Sequence, residues 1–465
     1  MDIQKHYSDF SEANLRESYI EDVLDRNRHI HNFISILFNI EKGGVIAIDG
    51  DWGSGKTYFV HQVKWLFDYA SGNIDSEIES VLSRTLPKLH NIKGHKYKVF
   101  YYDAWRYDKS NNPFFTLLRA MILAFGGIDF FKEEKSITDS LFSAIANIID
   151  GVSSIRLQSL FNFGRAFCGF NAKEQLPAIE FIEQMDDQVH SFLDYACEGQ
   201  YDKLIIFIDE LDRCKPSFAI ELLEIIKHYF NHDKVVFVLS TNLSEFQYCV
   251  KQYYGESFNG WKYLDRIIDL RITLPQISLE AYYKYLWKQT GLDKIDNISI
   301  ACADYFELNL RECERYNQHI NIAFGRYIKE KSINNEISDE LDSLYAIFIP
   351  ILLALKLYSV DKFREFISGR DYEVIKGLLS VDRFRKNVSF FILSANEDLA
   401  ENREALLVKK LEYCYNQLFN PDFEVLYKEN EIADLMLKRF TIDSDTKTHL
   451  LNILNLFSGK AKFDV

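Results

Sequence analysis

Gly50-Asp51-Trp52-Gly53-Ser54-Gly55-Lys56-Thr57 is a complete GxxxxGK[ST] string, and no other stretch of the chain restricts its fold so far. Glycines let a backbone close around phosphate oxygens. Successive N–H groups and the positive end of the next helix then meet the negative charge. That arrangement needs a strand in front of the turn and a helix behind it. Both flanks agree, because Val45 to Ile48 is a short apolar run and Tyr58 to Phe67 reads as helix. By composition alone the string arises by chance in roughly one or two per cent of chains this long, and the flanks lower that further. Gly50 to Thr57 is therefore read as a phosphate-binding loop, with Lys56 reaching the β and γ phosphates and Thr57 offering its hydroxyl to Mg2+.

Three further apolar runs, Val99 to Tyr102, Leu204 to Ile208 and Val235 to Leu239, resemble the first, and a fifth, Ile267 to Leu274, alternates less cleanly. Strands apolar on both faces belong to parallel sheets covered by helices, and each run here is followed by enough chain for a crossover. The class expected is α/β, a doubly wound parallel sheet. Residues 1–40 form a helical lead-in, with Ile30, Phe33, Ile34 and Phe38 on one stripe within a rhythm running from Ser11 to Ile40. The core covers 41–275, and after Pro275 only helical periodicity remains, divided into a lid (276–330) and a C-terminal helical domain (331–465). About a hundred residues separate the second and third strands, far more than one crossover needs, so a helical insert is placed at about 132–190. Its middle, Leu141 to Phe170, is apolar and aromatic but holds Asp150, Arg156 and Arg165, which argues against a lipid span. A helical hairpin packed on its own domain is favoured there; an amphipathic helix on a membrane or partner stays open.

With 465 residues, 47% of them apolar and 15% aromatic, the chain can bury a large core, which excludes a disulfide miniprotein and wholesale disorder. The charge, 54 basic minus 69 acidic residues or −15, argues against a surface that tracks a phosphate backbone throughout, though not against a local basic groove. Seven cysteines with no CxxC pair read as buried thiols in a reducing cytosol. His228 and His232, spaced i,i+4, lack further ligands and are taken as structural. The first twenty residues carry no apolar signal-peptide region, and Leu344 to Leu355, holding Pro350, is too short to cross a bilayer and is expected to be a buried core helix.

The third strand ends in Asp209-Glu210. A carboxylate at the carboxyl edge of a parallel strand faces the ligand, so Asp209 is placed opposite Thr57 in the magnesium shell, and Glu210 as the group that polarises attacking water. The fourth strand ends in Ser240-Thr241-Asn242, where Asn242 is the choice for a γ-phosphate sensor and Thr241 the next; a turn or helix cap is an equal alternative. Arginines neutralise charge on a transferred phosphoryl group, and Arg213, Arg266, Arg271, Arg311 and Arg315 are all open to that role, each more often a structural ion-pair partner.

Taken together, GDWGSGKT at 50–57, YYDAWRYD at 101–108, IDELDRC at 208–214, YLDRIIDLRITLP at 263–275 and, more weakly, LNLRECERY at 308–316 resemble the KAP family of P-loop NTPases, in that family's order. The resemblance covers about 25 to 320. It implies a P-loop NTPase core of the additional-strand class with ATP as nucleotide, Asp209 as metal ligand, Glu210 as water activator, and Arg311 where a sensor arginine stands. It also implies a bacterial role linked to phage exclusion or other defence. Family members often carry transmembrane helices between the Ala-Trp segment and the third strand, where this chain has its charged insert. Asp103 stands where the family usually has Asn, and Trp105 is read as an apolar residue packing at a strand end.

The expected function is thus a Mg2+-dependent ATPase working as a nucleotide-driven switch, in which the helical lid closes on the core and a protein partner or a second copy receives the change. It is expected in the cytoplasm, with peripheral contact at the inner membrane through 141–170 left open. A nucleic-acid-stimulated motor or loader and a scaffold that nucleotide only stabilises are the alternatives. Pro421-Asp422 with Glu424 lacks the Glu-x-Lys of a metal nuclease and is read as a loop.

Overall fold

The computed structural model describes residues 9–70, 96–110, 112–125, 201–275, 293–333, 339–394, 402–423 and 444–454, with isolated positions at 189–197, 280–286 and 397. The 141–170 segment and nearly all of the expected insert lie outside the described residues. The chain divides into two compact units between Ile277 and Ser278.

In the first unit the elements run α1 (Glu12–Glu21), α2 (Asn27–Asn39), β1 (Gly44–Asp49), α3 (Lys56–Ala70), β2 (Tyr97–Asp103), the one-turn α4 (Ala104–Tyr107), α5 (Pro113–Ala124), β3 (Lys203–Asp209), α6 (Pro216–Tyr229), β4 (Val235–Thr241), α7 (Leu243–Tyr254), α8 (Gly260–Ile267) and β5 (Leu270–Thr273). The five strands pair in parallel in the order β2-β3-β4-β1-β5. β4 therefore stands between β1, which feeds the phosphate loop, and β3, which ends in Asp209. This is the additional-strand arrangement, and the reversal of strand order at β1 opens a crevice at the carboxyl edge.

Period-two alternation sorts the strand residues onto two faces. Val45, Ala47, Phe100, Leu204, Ile206, Phe237 and Leu239 join one core with α5, α6, α7 and α8. Ile46, Ile48, Val99, Ile205, Phe207, Val236 and Val238 join the other with α1, α2 and α3. Every residue of β3 and β4 is buried. At about 1.5–3 kcal/mol for each large apolar side chain removed from water, these two strands are the main anchor of the unit.

Two boundaries differ from expectation. The Ser11–Ile40 rhythm is two helices, because Asp22 and Asp25 take left-handed conformations (φ 44° and 49°). The Asp22 carboxylate accepts the backbone N–H groups of Arg26 (2.8 Å) and Asn27 (3.0 Å) and so restarts the chain as α2. The fifth apolar run begins as helix: Leu264 and Ile267 bury one stripe of α8, and only Leu270–Thr273 is strand, exposed at the sheet edge.

The second unit is helical among the described residues: α9 (Asp293–Tyr305), α10 (Leu310–Ile333), α11 (Asp339–Tyr358), α12 (Val360–Ile367), α13 (Glu373–Leu379), α14 (Asp382–Ile392), α15 (Arg403–Phe419) and α16 (Ser444–Leu454). Its core helix is α11, longer than the apolar run predicted and continuous through Pro350. The window Leu341–Tyr358, mean hydropathy 1.7, is long and apolar enough to cross a membrane, but 67% of it is buried inside the protein. Tyr316 donates its hydroxyl to the Pro350 carbonyl at 2.9 Å.

Candidate nucleotide-binding site

β1 ends at Asp49, beside Thr241 of β4, and the chain turns at once into the loop. Gly53 and Gly55 have φ of 80° and 88°, values open to glycine and strained for other residues. The Ser54 N–H closes the turn on the Asp51 carbonyl at 3.2 Å. Lys56, the first residue of α3, folds its ammonium back onto the carbonyls of Gly50 (2.5 Å) and Asp51 (3.0 Å). Burial pulls its pKa below the usual lysine value, while Asp212, Asp209, Asp49 and Asp51 act against that shift. The cation is thus kept inside an acidic rim, held by weak acceptors that a phosphate can replace.

Asp209 is 2% exposed at the end of β3. Its Oδ2 accepts the Tyr101 hydroxyl at 3.0 Å and its Oδ1 the Glu210 N–H at 2.9 Å. Burial pushes its carboxyl above the ordinary range, opposed by hydrogen bonds that include one from Thr57. That contact joins the loop to the third strand. A buried carboxylate beside a threonine hydroxyl fits Mg2+, which takes one or two protein oxygens and fills its other positions with water and phosphate. Among the described residues no cluster of three or more His, Cys, Asp or Glu offers a competing site.

Glu210 follows in a left-handed conformation, φ 59°, which turns the chain away from the sheet into a short 3-10 turn, Leu211–Arg213. Its Oε1 pairs with Arg213 Nη1 at 2.7 Å. Burial raises the Glu210 pKa and Arg213 opposes the rise. The Arg213 guanidinium in turn lies over the Trp105 ring, 5.5 Å from its centroid. Trp105 is 53% exposed on α4, not packed at a strand end as expected: Ala104 takes the buried position, and the indole is a platform for Arg213.

Asn242 lies in the crevice, 6% exposed, with its amide already engaged. Its Oδ1 caps α7 by accepting the Glu245 N–H at 3.2 Å, and its Nδ2 donates to Asp51 Oδ1 at 3.4 Å. The helix-cap alternative is thus realised, and the same side chain also reaches the loop through Asp51. Ser240, in register with Asp209 on β3, turns its hydroxyl toward that carboxylate, whereas Thr241 buries a hydroxyl that has no hydrogen-bond partner. The Thr241 hydroxyl is free to serve a ligand. Asp212 was not anticipated: its Oδ2 accepts both Trp52 Nε1 (2.7 Å) and the Asn242 N–H (3.0 Å), tying the loop tip to two strand ends. The only sequence signal was its place three residues after Asp209 in Asp-Glu-Leu-Asp. Tyr101 and Arg26 were missed as well, since neither belongs to the pattern that marks the loop.

The arginines separate. Arg266 is exposed on the last turn of α8. That helix leads into β5 at the amino edge of the sheet, where Asp269 accepts the Val45 N–H at 2.8 Å. The loop stands at the opposite edge, so the structure does not bring Arg266 to the loop of its own chain. Arg271 covers the Trp261 ring at 4.4 Å. Arg311 and Arg315 lie on α10 of the second unit. His232 falls beyond the end of α6 and pairs with Asp194 at 3.0 Å, a structural contact. The six described cysteines, Cys197, Cys214, Cys249, Cys302, Cys313 and Cys414, are free thiols.

No curated protein matches the chain. A family model, described as the KAP family P-loop domain, matches residues 26–324, well over half of the sequence and inclusive of every strand and of the loop. By that match, and by a five-stranded parallel sheet carrying a glycine loop opposite a buried aspartate, the chain belongs to the KAP family of P-loop domains.

Proposed function

We propose that this protein is a Mg2+-dependent ATPase. The observation that carries the reading is the meeting of Thr57 with buried Asp209 across the mouth of the loop, with Glu210 beside them. Lys56 would leave the Gly50 and Asp51 carbonyls for the β and γ phosphates, and the loop N–H groups would take the remaining oxygens. Thr57 and Asp209 would hold the magnesium ion, which supplies charge neutralisation at the phosphates. Glu210, oriented by Arg213, would draw a proton from attacking water. Asn242 and the free hydroxyl of Thr241 would sense the γ phosphate. Arg266 suits a contribution to a second copy, whereas Arg311 keeps the sensor role that the family resemblance implies.

The helical second unit would receive the nucleotide-dependent change and pass it to a protein partner or to another copy. Resemblance to defence-linked family members supports placing this switch in a bacterial anti-phage assembly in the cytoplasm. The test is Mg2+-dependent phosphate release together with ATP binding for wild type, Lys56→Ala and Glu210→Gln. We expect slow hydrolysis by wild type, loss of binding in Lys56→Ala, and retained binding with turnover reduced about 100-fold or more in Glu210→Gln. Folded wild-type protein that neither binds nor cleaves ATP would refute the reading.

A further inference from the structure

Arg26 stands at the start of α2 and is 5% exposed, yet among the described residues no carboxylate forms an ion pair with it. Its Nη2 donates to the Ser54 carbonyl of the phosphate loop at 3.2 Å, whereas its Nη1 is buried without a hydrogen-bond partner. Of the two aspartates just before it, Asp25 is exposed and forms no ion pair with Arg26, and Asp22 spends its Oδ1 on the backbone N–H groups of Arg26 and Asn27. The Ser54 hydroxyl, on the residue that Arg26 holds, is likewise buried and unpartnered. A planar guanidinium carries five N–H donors and a full charge, and an uncompensated charge in the interior is strongly unfavourable. Burial alone lowers its pKa to about 10, still charged at neutral pH. A brace for the loop would need one N–H and no charge. What is missing is an anion.

We propose that Arg26 is a further binding residue of this site, giving its free Nη1 edge to a phosphate oxygen of the bound nucleotide while Nη2 holds the Ser54 carbonyl. The base is excluded as the main partner because it is neutral and leaves the buried charge uncompensated. A phosphate oxygen supplies both the counter-charge and the acceptor. The assignment rests on the reading that the loop binds a nucleoside triphosphate. It also accounts for keeping a buried arginine in the free protein, where it costs stability that the ligand restores.

The experiment uses the full chain as wild type, Arg26→Met, Arg26→Gln and Lys56→Ala. Thermal unfolding and equilibrium titration are run with MgATP, inorganic tripolyphosphate and adenosine. Wild type should bind MgATP and tripolyphosphate, and Arg26→Met should bind both about 10- to 100-fold more weakly, the range that a charge-assisted hydrogen bond is worth. Without ligand, Arg26→Met should melt at or above the wild-type temperature, because an unpaired charge is removed, and its ligand-induced rise should shrink. Arg26→Gln keeps a donor for Ser54 without the charge and should show the same loss of affinity, which covers the case of Arg26→Met failing to fold. Any effect on adenosine should be small. If either folded variant binds tripolyphosphate as wild type does while Lys56→Ala does not, the proposal is wrong and Arg26 is only a brace. If wild type binds neither phosphate ligand, the loop reading and this proposal fall together.

Discussion

The indole Nε1 of Trp52 donates to Asp212 Oδ2 at 2.7 Å, so the tip of the phosphate loop is latched to the turn that follows β3. The same oxygen accepts the Asn242 N–H at 3.0 Å, which adds the end of β4. One carboxylate thereby holds three segments that must stay in register around a ligand. A double-mutant cycle of Trp52→Phe and Asp212→Ala should give a coupling of about 0.5–1.5 kcal/mol in urea unfolding. Asp212→Ala alone should also weaken ATP binding, since the loop tip loses its tie. Additive effects in the cycle would count against the latch.

Arg213 touches Glu210 and the Trp105 ring. Arg213→Ala should therefore lower turnover about tenfold or more while leaving ATP affinity within about twofold, the signature of a residue that orients the base. Trp105→Ala should act in the same direction and more weakly, because it removes only the platform beneath the guanidinium. Equal losses in affinity and turnover would contradict this division.

Gly43 precedes β1 and donates its N–H to the Asp233 carbonyl at 2.6 Å. A Cβ there would lie 1.9 Å from the His232 carbonyl oxygen and 2.4 Å from that of Val235, both backbone atoms that cannot swing aside. Gly43→Ala should cost about 2–4 kcal/mol in chemical denaturation by forcing β1 away from the entry to β4. A loss under about 0.5 kcal/mol would show that the strands separate more easily than this packing allows.

His31 is buried against Tyr19, whose hydroxyl meets its Nε2 at 2.5 Å, and burial pushes its pKa down to about 4. In the unfolded chain the imidazole titrates near 6.5, so between about pH 4 and 6.5 the unfolded state binds more protons than the folded state. Stability of the first unit should rise with pH across that window and lose up to about 3 kcal/mol on acidification through it from this group. His61, also pushed to about 4, by burial and by Lys64, adds to the slope. His31→Gln should flatten part of the dependence in urea unfolding at pH 4.5 and 7. An unchanged slope would exclude His31 as a cause.

In the second unit Lys410, 4% exposed, meets Glu397 Oε1 at 2.6 Å. Glu397→Ala strands the ammonium and should cost about 3 kcal/mol, whereas Lys410→Met should be close to neutral because it removes the buried charge itself. Thermal unfolding of the two variants decides the order.

Contiguous signals were legible in the chain, and dispersed ones were not. The order of Gly50 to Thr57 between an apolar strand and a helix determines a phosphate loop, because the turn's φ values and its run of N–H groups are local properties of those residues. Four fully apolar runs determine a covered parallel sheet for a similar reason: a strand with no polar face must be buried on both sides. Asp209 could be placed because strand direction alone puts its carboxylate on the ligand edge.

The tertiary structure decided whatever depends on which distant segment comes near. Asp212 finds Trp52, Arg213 finds Trp105, and Arg26 finds Ser54, each across a separation with no periodicity to betray it. It also decided that Arg266 lies at the amino edge of the sheet, away from its own loop, because α8 ends just before β5, whose first residue, Leu270, pairs with Ile46 near the start of β1. Alternation and turn chemistry are written into neighbouring residues. The balance of buried charge around a ligand is set only when strands and helices close on one another, since a side chain's partner there is chosen by packing and not by spacing.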